Sequence, residues 1–235
     1  MSSVDVVTFS LDTQDLCQTG DASPDSTTLL RTLGIPDNLT PRMILLFGTE
    51  QLVYEDENHP VALLLKHYGN VVLAGGLVDD LMPQPDDIAG SEPGLYGVAF
   101  CGGDDLQVAS VVLDANVRSQ ADAEAAVRRL ERSHIRQENS IAFMFSCIGR
   151  GESYYRAPAV DSRAFRKVFR TTPLLGFFGN GEIGYEYLPD YSKGSDHKYT
   201  VVTQCDMEEG GVDTVLPEIH HSYSTVIAML SWQPA

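Results

Sequence analysis

Arg42-Met43-Ile44-Leu45-Leu46-Phe47 is a continuous apolar run closed by Gly48, the pattern of a strand buried on both faces. Just beyond it, His59 to Tyr68 places apolar residues at 61, 64, 65 and 68, the spacing of one helix face, and Gly69 follows as a C-cap. Asn70 to Ala74 then reads as a second buried strand. Strand, helix and strand in this order predict a parallel crossover unit, because parallel neighbours need a long connection.

The pattern changes further along. Residues 79–94 are acidic and hold Pro83, Pro85 and Pro93, so they read as loop. Leu95 to Cys101 and Leu106 to Leu113 read as strands separated only by Gly102-Gly103-Asp104-Asp105, which predicts an antiparallel hairpin. Ser119 to Ile135 is the clearest helix. Ser119 and Asp122 approximate a capping box, Ala123, Val127 and Leu130 line one face, and Glu124 precedes Arg128 by four residues. Ile141 to Ile148 is another apolar strand. Asp161 is placed to N-cap a helix with Ala164, Phe165, Val168 and Phe169 on one face and Arg163, Arg166, Lys167 and Arg170 on the other, stopped by Pro173. Further strands are expected at Leu174–Phe178, Tyr199–Gln204 and Tyr223–Leu230. Upstream, residues 10–41 read as loop apart from a short helix beginning at Ser26. The expected class is α/β in the α+β sense: mixed, mostly antiparallel sheet layers with helices on the outer faces. Residues 1–41 form an N-terminal extension, partly loop, and residues 42–235 form the domain.

Composition narrows the function. The chain has 235 residues, 43% of them hydrophobic, enough for a core without covalent staples. Its 33 acidic and 16 basic residues leave a net charge of −17, which repels phosphate backbones and anionic lipid. No nucleic acid and no membrane are expected as partners. No apolar run approaches the roughly 20 residues that cross a bilayer. Met1-Ser2-Ser3-Val4-Asp5 lacks a secretory pattern, so the expected compartment is the cytoplasm, with the nucleus as a second. Cys17, Cys101, Cys147 and Cys205 are scattered without a Cys-x-x-Cys pair, which suggests four thiols, no metal site and no disulfide framework. The charge is uneven: residues 128–170 carry 10 basic and 4 acidic groups. That island is either a solvated helix face or a docking surface for an acidic partner.

Two motifs invite chemistry. Gly179-Asn180-Gly181-Glu182-Ile183-Gly184 has the form G-x-G-x-x-G, but a dinucleotide loop opens a helix, and here Tyr185-Glu186-Tyr187-Leu188-Pro189 follows. Asn180-Gly181 instead signals a type I′ hairpin turn, so no nucleotide or other cofactor is assigned. Cys147, at the end of an apolar strand, precedes Gly149-Arg150-Gly151, a turn that would bring amides and a guanidinium to the sulfur and activate it. The alternative is an inert buried thiol. A cysteine nucleophile needs a histidine base, and the only paired histidines are His220 and His221, which read as loop residues, so no catalytic residue is assigned. Tyr154-Tyr155-Arg156 would form an aromatic platform facing a ligand or packing over the sheet rim.

Several strings carry a family resemblance. Leu73-Ala74-Gly75-Gly76, Phe143-Met144-Phe145-Ser146-Cys147-Ile148-Gly149-Arg150-Gly151, Tyr154-Tyr155-Arg156-Ala157, Ala164-Phe165-Arg166-Lys167, Pro173 through Gly184 and His221-Ser222-Tyr223-Ser224-Thr225 resemble, in order, the C-terminal region of the FIST (F-box and intracellular signal transduction) family as F-box proteins carry it. The resemblance implies a non-enzymatic recognition module that recruits the client of an SCF-type ubiquitin ligase for degradation. Skp1 and cullin are implied as partners only through an F-box, and residues 1–41 contain none. The other reading it implies is a small-ligand-sensing FIST domain in signal transduction. The binding surface expected from these strings comprises Cys147, Arg150, Tyr154, Tyr155, Arg156, Asn180 and Glu182.

Overall fold

The structure, a computed structural model, describes residues 4–12, 33–50, 60–82, 93–193 and 217–234. The expected helix at Ser26, the strand at Tyr199–Gln204 and most of the acidic loop before Pro93 lie outside the described residues.

The apolar run at 42–47 is β2 (Pro41–Gly48), followed by α1 (Pro60–Tyr68) and β3 (Val72–Leu77). β2 and β3 pair in parallel, with Met43 opposite Val72 and Gly48 opposite Leu77, as the crossover predicts. Gly69 takes φ 64°, and its N–H closes α1 on the Leu65 carbonyl at 2.9 Å. Every residue of β3 is buried, as a strand covered on both faces requires.

These strands belong to a six-stranded sheet ordered β1-β4-β2-β3-β8-β9, which adds β1 (Asp5–Asp12), β4 (Pro93–Cys101), β8 (Glu182–Gly184) and β9 (His220–His221). A second, four-stranded sheet is ordered β5-β10-β6-β7, from β5 (Gln107–Leu113), β6 (Ser140–Cys147), β7 (Leu174–Gly179) and β10 (Thr225–Ser231). One core cluster joins the two sheets, with Leu46, Leu73 and Ile183 from the first and Val108, Phe145 and Val226 from the second. A second cluster lies between the four-stranded sheet and α2 (Gln120–Arg132) and α4 (Val160–Val168), where Val127, Leu130, Phe165 and Phe169 meet Ala109, Ile227 and Met229. The result is α+β: two mostly antiparallel sheets, with helices outside them.

Both expected hairpins are corrected. β4 and β5 do not pair: β4 lies between β1 and β2, whereas β5 runs beside β10 in the other sheet. Both edges of β4 are occupied, so the chain turns the corner at Gly102-Gly103-Asp104-Asp105 and changes sheet. The Asn180-Gly181 turn behaves in the same way. β7 pairs with β6, and β8 pairs with β3 and β9. Neither Asn180 nor Gly181 has positive φ, so no type I′ turn is present. Instead the Asn180 N–H donates to the Leu77 carbonyl and the Leu77 N–H to the Gly181 carbonyl, both at 2.9 Å, stitching one sheet to the other. Gly184 ends a strand and does not open a helix, so the G-x-G-x-x-G string is not a phosphate loop.

Ser119 caps α2 by accepting from the Asp122 N–H at 3.2 Å. Glu124 does not pair with Arg128. It reaches across to Lys167 of α4 at 2.7 Å, while Arg128 holds Glu131 at 3.1 Å.

Candidate functional site

Residues from several strings of the resemblance meet at one end of the two sheets. Cys147 ends β6, the 3-10 turn Ile148–Arg150 and the short helix α3 (Glu152–Tyr155) follow it, Glu182 opens β8, and Ser224 precedes β10. The Cys147 N–H donates to the Ser224 carbonyl at 3.0 Å, which ties β6 to the strand that enters between β5 and β6.

Two buried carboxylates organise this end. Asp161 is 5% exposed and lies inside the first turn of α4. Ala159 occupies the N-cap position with φ 55° and no side-chain bond, so the expected capping role of Asp161 is corrected. The Asp161 side chain turns inward because it has four donors there. Oδ2 accepts from Thr225 Oγ1 at 2.7 Å and Arg150 Nε at 3.3 Å; Oδ1 accepts from the Tyr155 hydroxyl at 2.7 Å and Arg150 Nη2 at 3.4 Å. Arg150 is itself 2% exposed. Its Nη1 donates to the carbonyls of Asp114 and Tyr223, each at 2.9 Å, and its Nη2 to the Tyr155 hydroxyl. The guanidinium also lies 5.1 Å from the ring centres of both Tyr154 and Tyr155. Burial, then the bond to Asp161, holds the Tyr155 phenol well above its ordinary range.

Glu182, 1% exposed, is the second carboxylate. Oε2 accepts from the Ser224 hydroxyl at 2.6 Å and the Ser224 N–H at 3.1 Å, while buried Oε1 has no hydrogen-bond partner among the described residues. Burial pushes the Glu182 carboxyl up to about 7, against the opposing pull of the Ser224 bonds, the Arg150 charge and the neighbouring Cys147 thiol. The acidic side chain beside the Cys147 sulfur is therefore Glu182, while Arg150 binds Asp161. Of the other described thiol, burial and nearby Asp5 push Cys101 up to about 11.

The expected surface thus divides. Arg150, Tyr154 and Tyr155 form one packed unit, in which the Tyr154 hydroxyl donates to the Ala115 carbonyl at 2.7 Å. Cys147 and Glu182 meet behind it. Arg156 is exposed, closing α3 with φ 54°, and Asn180 is exposed and donates its side-chain amide to Asp79. Sequence reasoning gave Asp161 only a capping role and named Ser224 and Thr225 in a string without assigning them to the site; only burial reveals what the three do. Solvent reaches this end through Ile148, 67% exposed, and Tyr223, 57% exposed, whose backbone takes φ 55°. A cleft of about 400 Å³ lies at the opposite end of β10, lined by Asp5, Asn38, Thr40, Asp105 and Trp232 among others, and none of the expected site residues borders it. Among the described residues no cluster of His, Cys, Asp and Glu could hold a metal ion, and no helix is long and apolar enough to cross a membrane.

The FIST C domain profile matches residues 98–185, which include Cys147, Arg150, Tyr155, Asp161 and Glu182. The chain is also similar to a particular protein: it is 35% identical over 208 residues to F-box only protein 22 of Homo sapiens, and equally to that of Pongo abelii. The matched region covers 86% of this chain and 48% of those relatives, so the chain spans about half their length. The chain therefore carries a stretch that matches the FIST C domain and is similar to F-box only protein 22 over about half of that protein's length.

Proposed function

We propose that the chain is a non-enzymatic protein-recognition module that recruits the client of an SCF-type ubiquitin ligase for degradation. The observation that carries this reading is the meeting, at one end of the sheets, of Cys147, Arg150, Glu182 and Ser224, from several strings of the resemblance, around a buried hydrogen-bonded network with Ile148 and Tyr223 exposed beside it. Large exposed apolar side chains on a well-braced scaffold suit a protein partner. The test is mass spectrometry of proteins that co-purify with the chain and with Ile148→Lys. A ubiquitylated client that is captured by the native chain and lost with the variant supports the reading; capture unchanged by the variant overturns it. Skp1 and cullin enter this reading only through an F-box.

One observation favours a second reading, a small-ligand sensor. Glu182 Oε1 is buried without a partner beside the Cys147 thiol, a position where a ligand donor would be welcome. A retained metabolite in native mass spectrometry, with no protein partner, supports that reading over recruitment.

A further inference from the structure

The two edges of the four-stranded sheet are treated differently. At one edge, residues 185–191 cover β5: the Ser110 N–H donates to the Tyr187 carbonyl at 2.8 Å, and the Tyr187 N–H donates back at 3.0 Å. The Tyr191 hydroxyl accepts from the Val108 N–H and donates to its carbonyl, each at 2.8 Å. At the other edge, β7 pairs only with β6 among the described residues. Its sequence, Leu-Leu-Gly-Phe-Phe-Gly, holds no charge and no proline, the usual devices that keep an edge from pairing. Leu175 is 58% exposed and Phe178 56%.

We propose that β7 pairs antiparallel with β7 of a second copy of this chain, joining two four-stranded sheets into one. Register and charge both single out this occupant. Antiparallel pairing about a two-fold axis at Gly176 sets Leu174 opposite the partner's Phe178 and Leu175 opposite the partner's Phe177, so each apolar residue meets another. The two ends of β7 carry opposite charge. At its start, exposed Arg170 makes no ion pair with a described residue, and Arg166 is anchored on the Thr172 carbonyl. At its finish, Asn180 holds exposed Asp79, with Asp80 next to it. The same register puts Asn180 opposite the partner's Thr172 and brings the acidic finish of each copy to the basic start of the other. The pairing therefore has local complementarity at both ends, although the chain as a whole carries −17.

Sedimentation velocity of the full chain over a range of concentrations at low salt tests the proposal. A concentration-dependent dimer is expected, and Phe178→Lys is expected to leave monomers. Arg170→Glu, on an exposed side chain, should weaken the dimer by about tenfold, and adding Asp79→Arg should restore it. Monomers at every concentration overturn the proposal, as does a dimer indifferent to Phe178→Lys or a charge swap that fails to rescue. Monomers that instead take up an extended acidic peptide along β7 also overturn it, by giving the edge a different occupant.

Discussion

Asp161 and Glu182 are both buried at the same end of the sheets, yet they are satisfied by opposite chemistry. Asp161 has a guanidinium, a phenol and a threonine hydroxyl for its two oxygens. Glu182 has one serine for one oxygen and no hydrogen-bond partner for the other among the described residues, with only the Cys147 thiol and the more distant Arg150 charge to help. The first arrangement neutralises the charge in place, so it serves as a brace joining the 3-10 turn, α3, α4 and β10. The second leaves burial dominant, so the group is held near half-protonation at neutral pH. What the pair teaches is that burial alone does not decide whether a carboxylate is scaffold or switch; the partner does.

Breaking the brace should have the largest effect. Arg150→Met removes the cation while Asp161 stays buried, and an uncompensated buried charge costs about 3–5 kcal/mol. Urea unfolding at pH 7 measures this loss. Since Arg150 also draws Glu182 downward, the same variant should move the Glu182 midpoint above about 7. A loss under about 1 kcal/mol would show that the two carboxylates are less different than their partners imply.

The second test works on the other carboxylate. The carboxyl midpoint of Glu182 is about 7 in the fold, above the ordinary value of 4.5, so the folded state binds the proton more tightly than the unfolded chain does. Its contribution is therefore complete below about pH 4.5, falls as pH rises through the window up to about 7, and stays lost above it. Glu182→Gln, neutral at every pH, should flatten stability across that window, and relative to the parent should gain of order 3 kcal/mol between pH 4.5 and pH 8. Thermal or urea unfolding at several pH values checks the slope. A parent whose stability is flat over the same range contradicts the assignment.

The sequence was more informative about elements than about their neighbours. The apolar run at 42–47, the helical spacing at 61, 64, 65 and 68, and the face of Ala123, Val127 and Leu130 are local patterns, and each became the element expected. β1 was also legible, since Val7, Phe9 and Leu11 alternate toward the core, but an acidic N-terminal stretch drew no strand reading. The hairpin errors share one cause. A Gly-rich turn fixes a change of direction, whereas pairing is decided by which edges remain free, and β4 and β8 were claimed by strands distant in sequence. At the site, Cys147, Arg150 and Tyr155 were read from one short stretch of chain. Their partners Asp161, Ser224 and Thr225 come from α4 and the β10 entry, and Glu182 crosses from the other sheet, so the exchange by which Arg150 serves Asp161 and Cys147 faces Glu182 could not be read from spacing.

The protonation of Glu182 itself tests the contrast between the two carboxylates most directly. Carbon-13 NMR of glutamate-labelled protein, with the Glu182 signal assigned by its loss in Glu182→Gln, follows the carboxyl through pH 4 to 9. A midpoint near 7, well separated from the exposed glutamates, is expected. A midpoint at the ordinary glutamate value, about 4.3, would mean that the serine alone satisfies the charge and that the contrast with Asp161 does not exist.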